Sequence, residues 1–293
     1  MTTTALLAAL IGTPALATDI TIENFVGKIT IIQGNDGLDV IQNGKGDLQY
    51  RQNGETITVD GGLNSKERGD ACKGPGGSWN LSLGSWNSTG DTRLDDYPEL
   101  EISVASGSDL TITRSAVEIV AEADLGETRL DVSGCFDIEL ADTASLTIDK
   151  SGSGDITAGS TGPTRIEKSG SGDIEIIEAA SFDLEQSGSG DIDIEAVTGP
   201  VDIDKSGSGD VEIERLTGSL SVDKSGSGDV EVDGGEVSVL TVSNSGSGDV
   251  NVHADIGDAK INASGSGDIY VKSISGSLEK SISGSADLNR GDD

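Results

Sequence analysis

Residues Lys168–Ile174 read KSGSGDI, and nearly the same words return as KSGSGDV at Lys205 and Lys224. The phrase SGSGD opens at Ser151, Ser169, Ser187, Ser206, Ser225, Ser245 and Ser264, with an altered copy, SGSAD, at Ser283 and an earlier one, SGCFD, at Ser133. Successive starts lie 18, 18, 18, 19, 19, 20, 19 and 19 residues apart. A fixed period of this kind marks a repeat architecture, in which each unit buries its apolar face only by stacking on the next.

Every period has the same internal grammar. After the Asp come alternating apolar residues: Ile174 and Ile176, Ile192 and Ile194, Val211 and Ile213, Val230 and Val232. Before the Ser comes a second alternating pair, as in Phe182 and Leu184, Val201 and Ile203, Leu220 and Val222. A third apolar position lies between them at Val197, Leu216 and Ile256, often beside a Gly-containing turn such as TGP or TGS. Period-two alternation of β-branched residues specifies half-buried strands rather than helices. The period is too short for a strand–helix–strand unit. The reading is all-β: a single-stranded parallel β-helix with coils of about 18–20 residues, each strand pairing with its equivalent one coil later. Nine coils at about 4.8 Å each give a rod roughly 40 Å long, and parallel crossovers default to a right-handed path.

In that setting SGSGD reads as the corner of a coil. Gly supplies positive φ or an unhindered backbone, and Ser and Asp side chains satisfy free backbone groups locally. Stacking would set Asp155, Asp173, Asp191, Asp210, Asp229, Asp249 and Asp268 in one column, with Glu175, Asp193, Glu212 and Glu231 in a second beside it. Like charges about 4.8 Å apart repel by roughly 1 kcal/mol even in water. Calcium could relieve this, and the phrase superficially resembles the G-G-x-G-x-D repeat of calcium-binding β-rolls. Against that, Asp directly follows Gly, and Lys150, Lys168, Lys205 and Lys224 lie close by in sequence. In the last period Lys280 takes an inward position and Ile282 replaces the polar residue before the phrase, as suits a terminal coil.

Residues 1–17 are uncharged, with an apolar stretch Leu6–Ile11 and an Ala15-Leu16-Ala17 ending that fits signal peptidase, so residues 1–17 read as a signal peptide. Residues 18–293 read as one β-helix domain. Within it, 18–115 are irregular N-terminal strands or a cap, with a loop insert at 64–96, and 116–290 are regular coils. No later stretch suits membrane insertion. The net charge of -33 repels nucleic acid and anionic polymers. Cys72 and Cys135 are the only cysteines and are either free or one disulfide of an exported chain. Trp79 and Trp86 either anchor the insert onto the rod or stack on a sugar. His253, the single histidine, falls on an outward strand position, where a solvated side chain is the ordinary outcome. The tripeptide Arg290-Gly291-Asp292 matches an integrin-binding sequence but is short enough to arise by chance.

The strand set ENFVGKITI and LDVIQNG, then PELEISVASGSDLTI, then serial SGSGDI turns, resembles the head GIN domain family of auto-transporter adhesins. The resemblance spans nearly all of the mature chain. It implies a β-helix similar in shape to pectin lyases but without their catalytic residues, exported by Gram-negative bacteria and acting in adhesion. The expected function is therefore an exported, non-enzymatic module located in the periplasm, at the cell surface or outside the cell. It would offer side-chain ladders to an unidentified surface, envelope or glycan partner. Calcium binding through the stacked Asp turns is the alternative. A polysaccharide lyase or hydrolase is the third reading; its support is the β-helix alone, since the coils carry few arginines, Arg165 and Arg215. No residue is assigned a catalytic, cofactor-binding or metal-binding role, and no cofactor is called for.

Overall fold

A computed structural model describes residues 18–35, 37–72 and 96–291. Its elements run β1 (Asp19–Glu23), β2 (Val26–Gln33), β3 (Gly37–Gln42), β4 (Gln49–Asn53), β5 (Thr56–Asp60), α1 (Ser65–Ala71), β6 (Glu99–Val104), β7 (Ser108–Ala121), β8 (Leu125–Val132) and β9 (Asp137–Leu140). They continue with β10 (Thr143–Lys150), β11 (Asp155–Lys168), β12 (Ile174–Gln186), β13 (Ile192–Val197), β14 (Val201–Lys205), β15 (Val211–Lys224) and β16 (Val230–Val232). The last are β17 (Gly235–Asn244), β18 (Val250–Ala263), β19 (Ile269–Ile274), β20 (Leu278–Ile282) and β21 (Leu288–Arg290).

From β7 onward every described pairing is parallel and links equivalent positions one coil apart. The result is a β-solenoid of about 10 turns. Ile156, Ile174, Ile192, Val211, Val230, Val250 and Ile269 stand in register, all buried. On the side that precedes the corner, Leu130, Ile148, Ile166, Leu184, Ile203, Val222, Val242 and Ile261 do the same. Each such side chain contributes about 1.5–3 kcal/mol by leaving water, so one core runs the length of the rod. The outward partners between them are polar, as the alternation requires.

Of the two reasons expected for glycine at the corners, the unhindered backbone is the one that holds. Of the seven full SGSGD copies only Gly172 has a positive φ, 149°. What decides is stacking. A Cβ on the first Gly of each full copy would stand 1.7–2.2 Å from a backbone oxygen of the equivalent glycine one coil earlier. The corners bond directly to one another, Ser169 N–H to Lys150 O at 2.9 Å and Ser171 N–H to Gly152 O at 3.1 Å, which draws the backbones together.

The N-terminal region is out of sequence order. β1 pairs with both β5 and β7, and β2 with both β6 and β7, all parallel. The first strands of the chain therefore lie between two layers formed later. β3 and β4 then run antiparallel along β6 and β5 and occupy the remaining edge. They cover the edge of the first parallel layer and become the outermost strands at that end.

Between β5 and β6, at the place that SGSGD fills in later coils, sits the insert. Its described part starts as a helix, not a loop. Asn64 caps α1 by accepting from Lys66 and Glu67 N–H, while Glu67 returns the bond to Asn64 N–H. Cys72 ends that helix and is disulfide-bonded to Cys135 of the SGCFD corner, with Cα atoms 5.5 Å apart. The bridge fastens the insert to the corner column, and Val26, Ala71 and Ala116 pack beneath it. Trp79, Trp86, residues 1–17 and Asp292 lie outside the described residues. At the far end Lys280 registers with Ile261 yet is exposed, and among the described residues no strand stacks on its other side.

Candidate functional site

The corner column has two walls. The residue before each Ser has the same parity as the inward Leu and Ile preceding it, so it points into the rod. Lys150, Lys168, Gln186, Lys205, Lys224 and Asn244 are all 0–2% exposed and stack in register. The lysines expected beside the acidic column are therefore inside the solenoid, behind it.

These interior side chains donate to glycine carbonyls of the corners. Lys150 Nζ reaches Gly172 O at 2.6 Å, and Lys224 Nζ reaches Gly248 O at 2.5 Å. Lys168 Nζ donates to Gly190 O, which also accepts from Gln186 Nε2 at 2.7 Å. Asn244 Nδ2 donates to Gly248 O at 2.9 Å. The second glycine is crowded by the preceding coil as the first is: a Cβ on Gly172 would stand 2.3 Å from Gly154 O, with Lys150 Nζ next at 2.8 Å. Phe136 fills that position in the SGCFD corner and places its ring 5.5 Å from Lys150 Nζ, ending the polar column with a cation–π contact. At the other end Ala263 and Ile282 replace the polar residue.

Burial lowers the lysine pKa values, to about 7 for Lys150 and about 8 for Lys168 and Lys224, with a downward shift also at Lys205. Neighbouring ammonium groups add to the shift at Lys150 and Lys224, and the Asp side chains outside the wall partly oppose it.

Outside, the Asp column forms as the sequence predicts, but its bonds run between coils rather than within a turn. Asp155 Oδ1 accepts from Asp173 N–H at 2.8 Å, and the pattern repeats through Asp191, Asp210, Asp229, Asp249, Asp268 and Asp287 at 2.7–2.8 Å. One oxygen of each carboxylate from Asp155 to Asp268 is thus committed to the backbone. Among the described residues no group of three or more His, Cys, Asp or Glu is arranged to hold a metal ion.

Beside it, Glu175, Asp193, Glu212 and Glu231 align in register. Burial and then adjacent carboxylates raise the pKa of Asp193 and Glu212. Glu175, Asp193 and Glu212, with Glu139, Ala141, Gly159 and the half-exposed Ile177, line a shallow groove across six coils. A second trough runs over the exposed Ser pairs of the corners, from Ser169 to Ser247. On the other side of the corners, Arg165 gathers Asp183, Glu185 and Glu167, which hold its guanidinium firmly protonated. His253 stacks on Tyr270 with ring centres 4.8 Å apart and has Nε2 3.6 Å from Glu231 Oε1.

Residues 160–274 match the family model described as "Putative auto-transporter adhesin, head GIN domain". The match falls within the regular coils, a shorter span than the resemblance read from the sequence. A solved structure titled as a "putative adhesin" from Bacteroides fragilis aligns over 95% of this chain and 94% of that chain, at 11% identity and a TM-score of 0.24. No curated protein matches. No helix among the described residues is long and apolar enough to cross a membrane.

Proposed function

We propose that this chain, head-GIN-like over residues 160–274, is an exported, non-enzymatic rod whose role is adhesion to an envelope, cell-surface or glycan partner. The observation that carries the reading is the set of exposed in-register ladders on a continuous core. The same Ser, Asp and Glu contacts recur at every coil, so a partner with its own repeat could bind through many weak, equivalent contacts. The acidic groove favours cationic or neutral partners over polyanions.

The test is binding of the purified mature chain to whole cells, isolated envelopes and a glycan array, at low and raised salt. Saturable binding that Glu175→Lys together with Glu212→Lys abolishes supports the proposal. No binding to any of the three would sink it. Turnover of a neutral or acidic glycan would remove the non-enzymatic part.

A further inference from the structure

We propose that Lys224 and Asn244 join in an intramolecular isopeptide bond within the core of the solenoid. The two residues are register partners on β15 and β17, and both are buried, at 0% and 2% exposure. Lys224 Nζ and Asn244 Nδ2 donate to the same oxygen, Gly248 O, at 2.5 and 2.9 Å, so nucleophile and leaving group are held side by side. Asn244 Oδ1 accepts from Gly246 N–H at 3.0 Å, which polarises the carbonyl toward attack. Val222 and Val242, two residues before them on the same inward face, are fully enclosed and keep water out.

The step balances without any further reagent. Burial and the neighbouring Lys205 favour the neutral amine of Lys224. Its lone pair attacks Asn244 Cγ, forming the Nζ–Cγ bond, and charge develops on Oδ1 against the Gly246 N–H. Collapse breaks the Cγ–Nδ2 bond. One Nζ proton passes to the departing nitrogen, with Gly248 O touching both, and ammonia leaves. Fixed proximity replaces the encounter that makes such aminolysis slow in solution.

The rod contains its own control. Lys168 and Gln186 share Gly190 O in the same way, but Gln186 Oε1 is buried with no hydrogen-bond partner. That carbonyl is not polarised, so this pair should remain unlinked.

The full chain, purified, denatured and digested with trypsin, is read by tandem mass spectrometry. The expected product is the single peptide 216–260, closed into a loop between Lys224 and Asn244, one ammonia lighter than its linear form and uncleaved after Lys224. Its fraction should rise on incubation at pH 9 relative to pH 6, and it should be absent in Lys224→Arg and Asn244→Leu. Should either variant fail to fold, the native digest still decides. Quantitative cleavage after Lys224 with unmodified Asn244, after prolonged incubation at pH 9, overturns the proposal. A loop between Lys168 and Gln186 in its place overturns the assignment to a polarised carbonyl.

Discussion

One corner wall carries lysine on its inner face and aspartate on its outer face, and the two faces obey different physics. Outside, the Asp column lies in solvent, where each carboxylate has a backbone N–H to accept from and repulsion is screened. Inside, the ammonium groups have glycine carbonyls but no carboxylate partner, and their charge is costly. A single phrase thus builds a cheap ladder and an expensive one, held apart by a backbone with no room for a Cβ.

The largest effect should come from breaking the wall itself. In Gly170→Val the new Cβ would meet Gly152 O at 1.7 Å, so the coils must separate. We expect a loss above about 4 kcal/mol, or an insoluble product, measured by urea denaturation against Ser171→Val, whose side chain points outward.

The inner face is tested next. Lys168→Ala leaves a cavity and should cost about 3–5 kcal/mol. Lys168→Met keeps the volume and removes the buried charge, so it should be neutral or stabilising by about 1–4 kcal/mol. A large loss in both variants would mean that the amine-to-carbonyl bonds, rather than filling, hold the corner.

The pH response separates the faces without mutation. Lys150 and Lys168 have pKa values of about 7 and about 8 when folded, against an ordinary 10.5. The folded chain binds fewer protons than the unfolded chain between those limits, so stability rises with pH from about 7–8 up to 10.5 and is unchanged by these groups below that window. The gain is about 1.4 kcal/mol per pH unit per lysine, and the urea midpoint should climb between pH 7 and 10. Asp193 and Glu212, with raised pKa values, act the other way and only in acid, where they stabilise the fold below their unfolded values. A midpoint that is flat or falling from pH 7 to 10 would show the interior lysines to be hydrated.

The outer face should give the smallest change. Asp210→Asn keeps an oxygen for Asp229 N–H and should cost under about 0.5 kcal/mol, while Asp210→Ala exposes that N–H and should cost about 1 kcal/mol.

The regular coils were legible because spacing and alternation are the same signal at two scales. Ile174, Ile192 and Val211 could be stacked on paper from their offset to the Asp alone. The interior lysines were equally written there: Ile166 then Lys168, and Val222 then Lys224, share parity. That parity lost to the usual expectation that lysine faces water. The glycines left two reasons open, since a missing Cβ reports on φ and on crowding alike, and crowding is visible only with the neighbouring coil in place. The N-terminal order was illegible in principle. Nothing in the DITIE of β1 says that it lies beside the TITVD of β5 on one side and β7 on the other, because that choice depends on a hairpin and an insert that break the period. The bond between Cys72 and Cys135 belongs with it, since its two ends meet only after the insert folds back on the corner column.

That misplaced first layer has a consequence in time. A chain emerging N-terminus first, from a ribosome or through a pore, presents β1 and β2 before either of their neighbours exists. β1 must wait for β5 on one side and for β7 on the other, and closing such distant contacts is entropically slow. The regular coils face no such delay, because each finds a finished template one turn behind it. The rod therefore has a slow beginning and a fast remainder, and its earliest strands are among the last of their region to be enclosed.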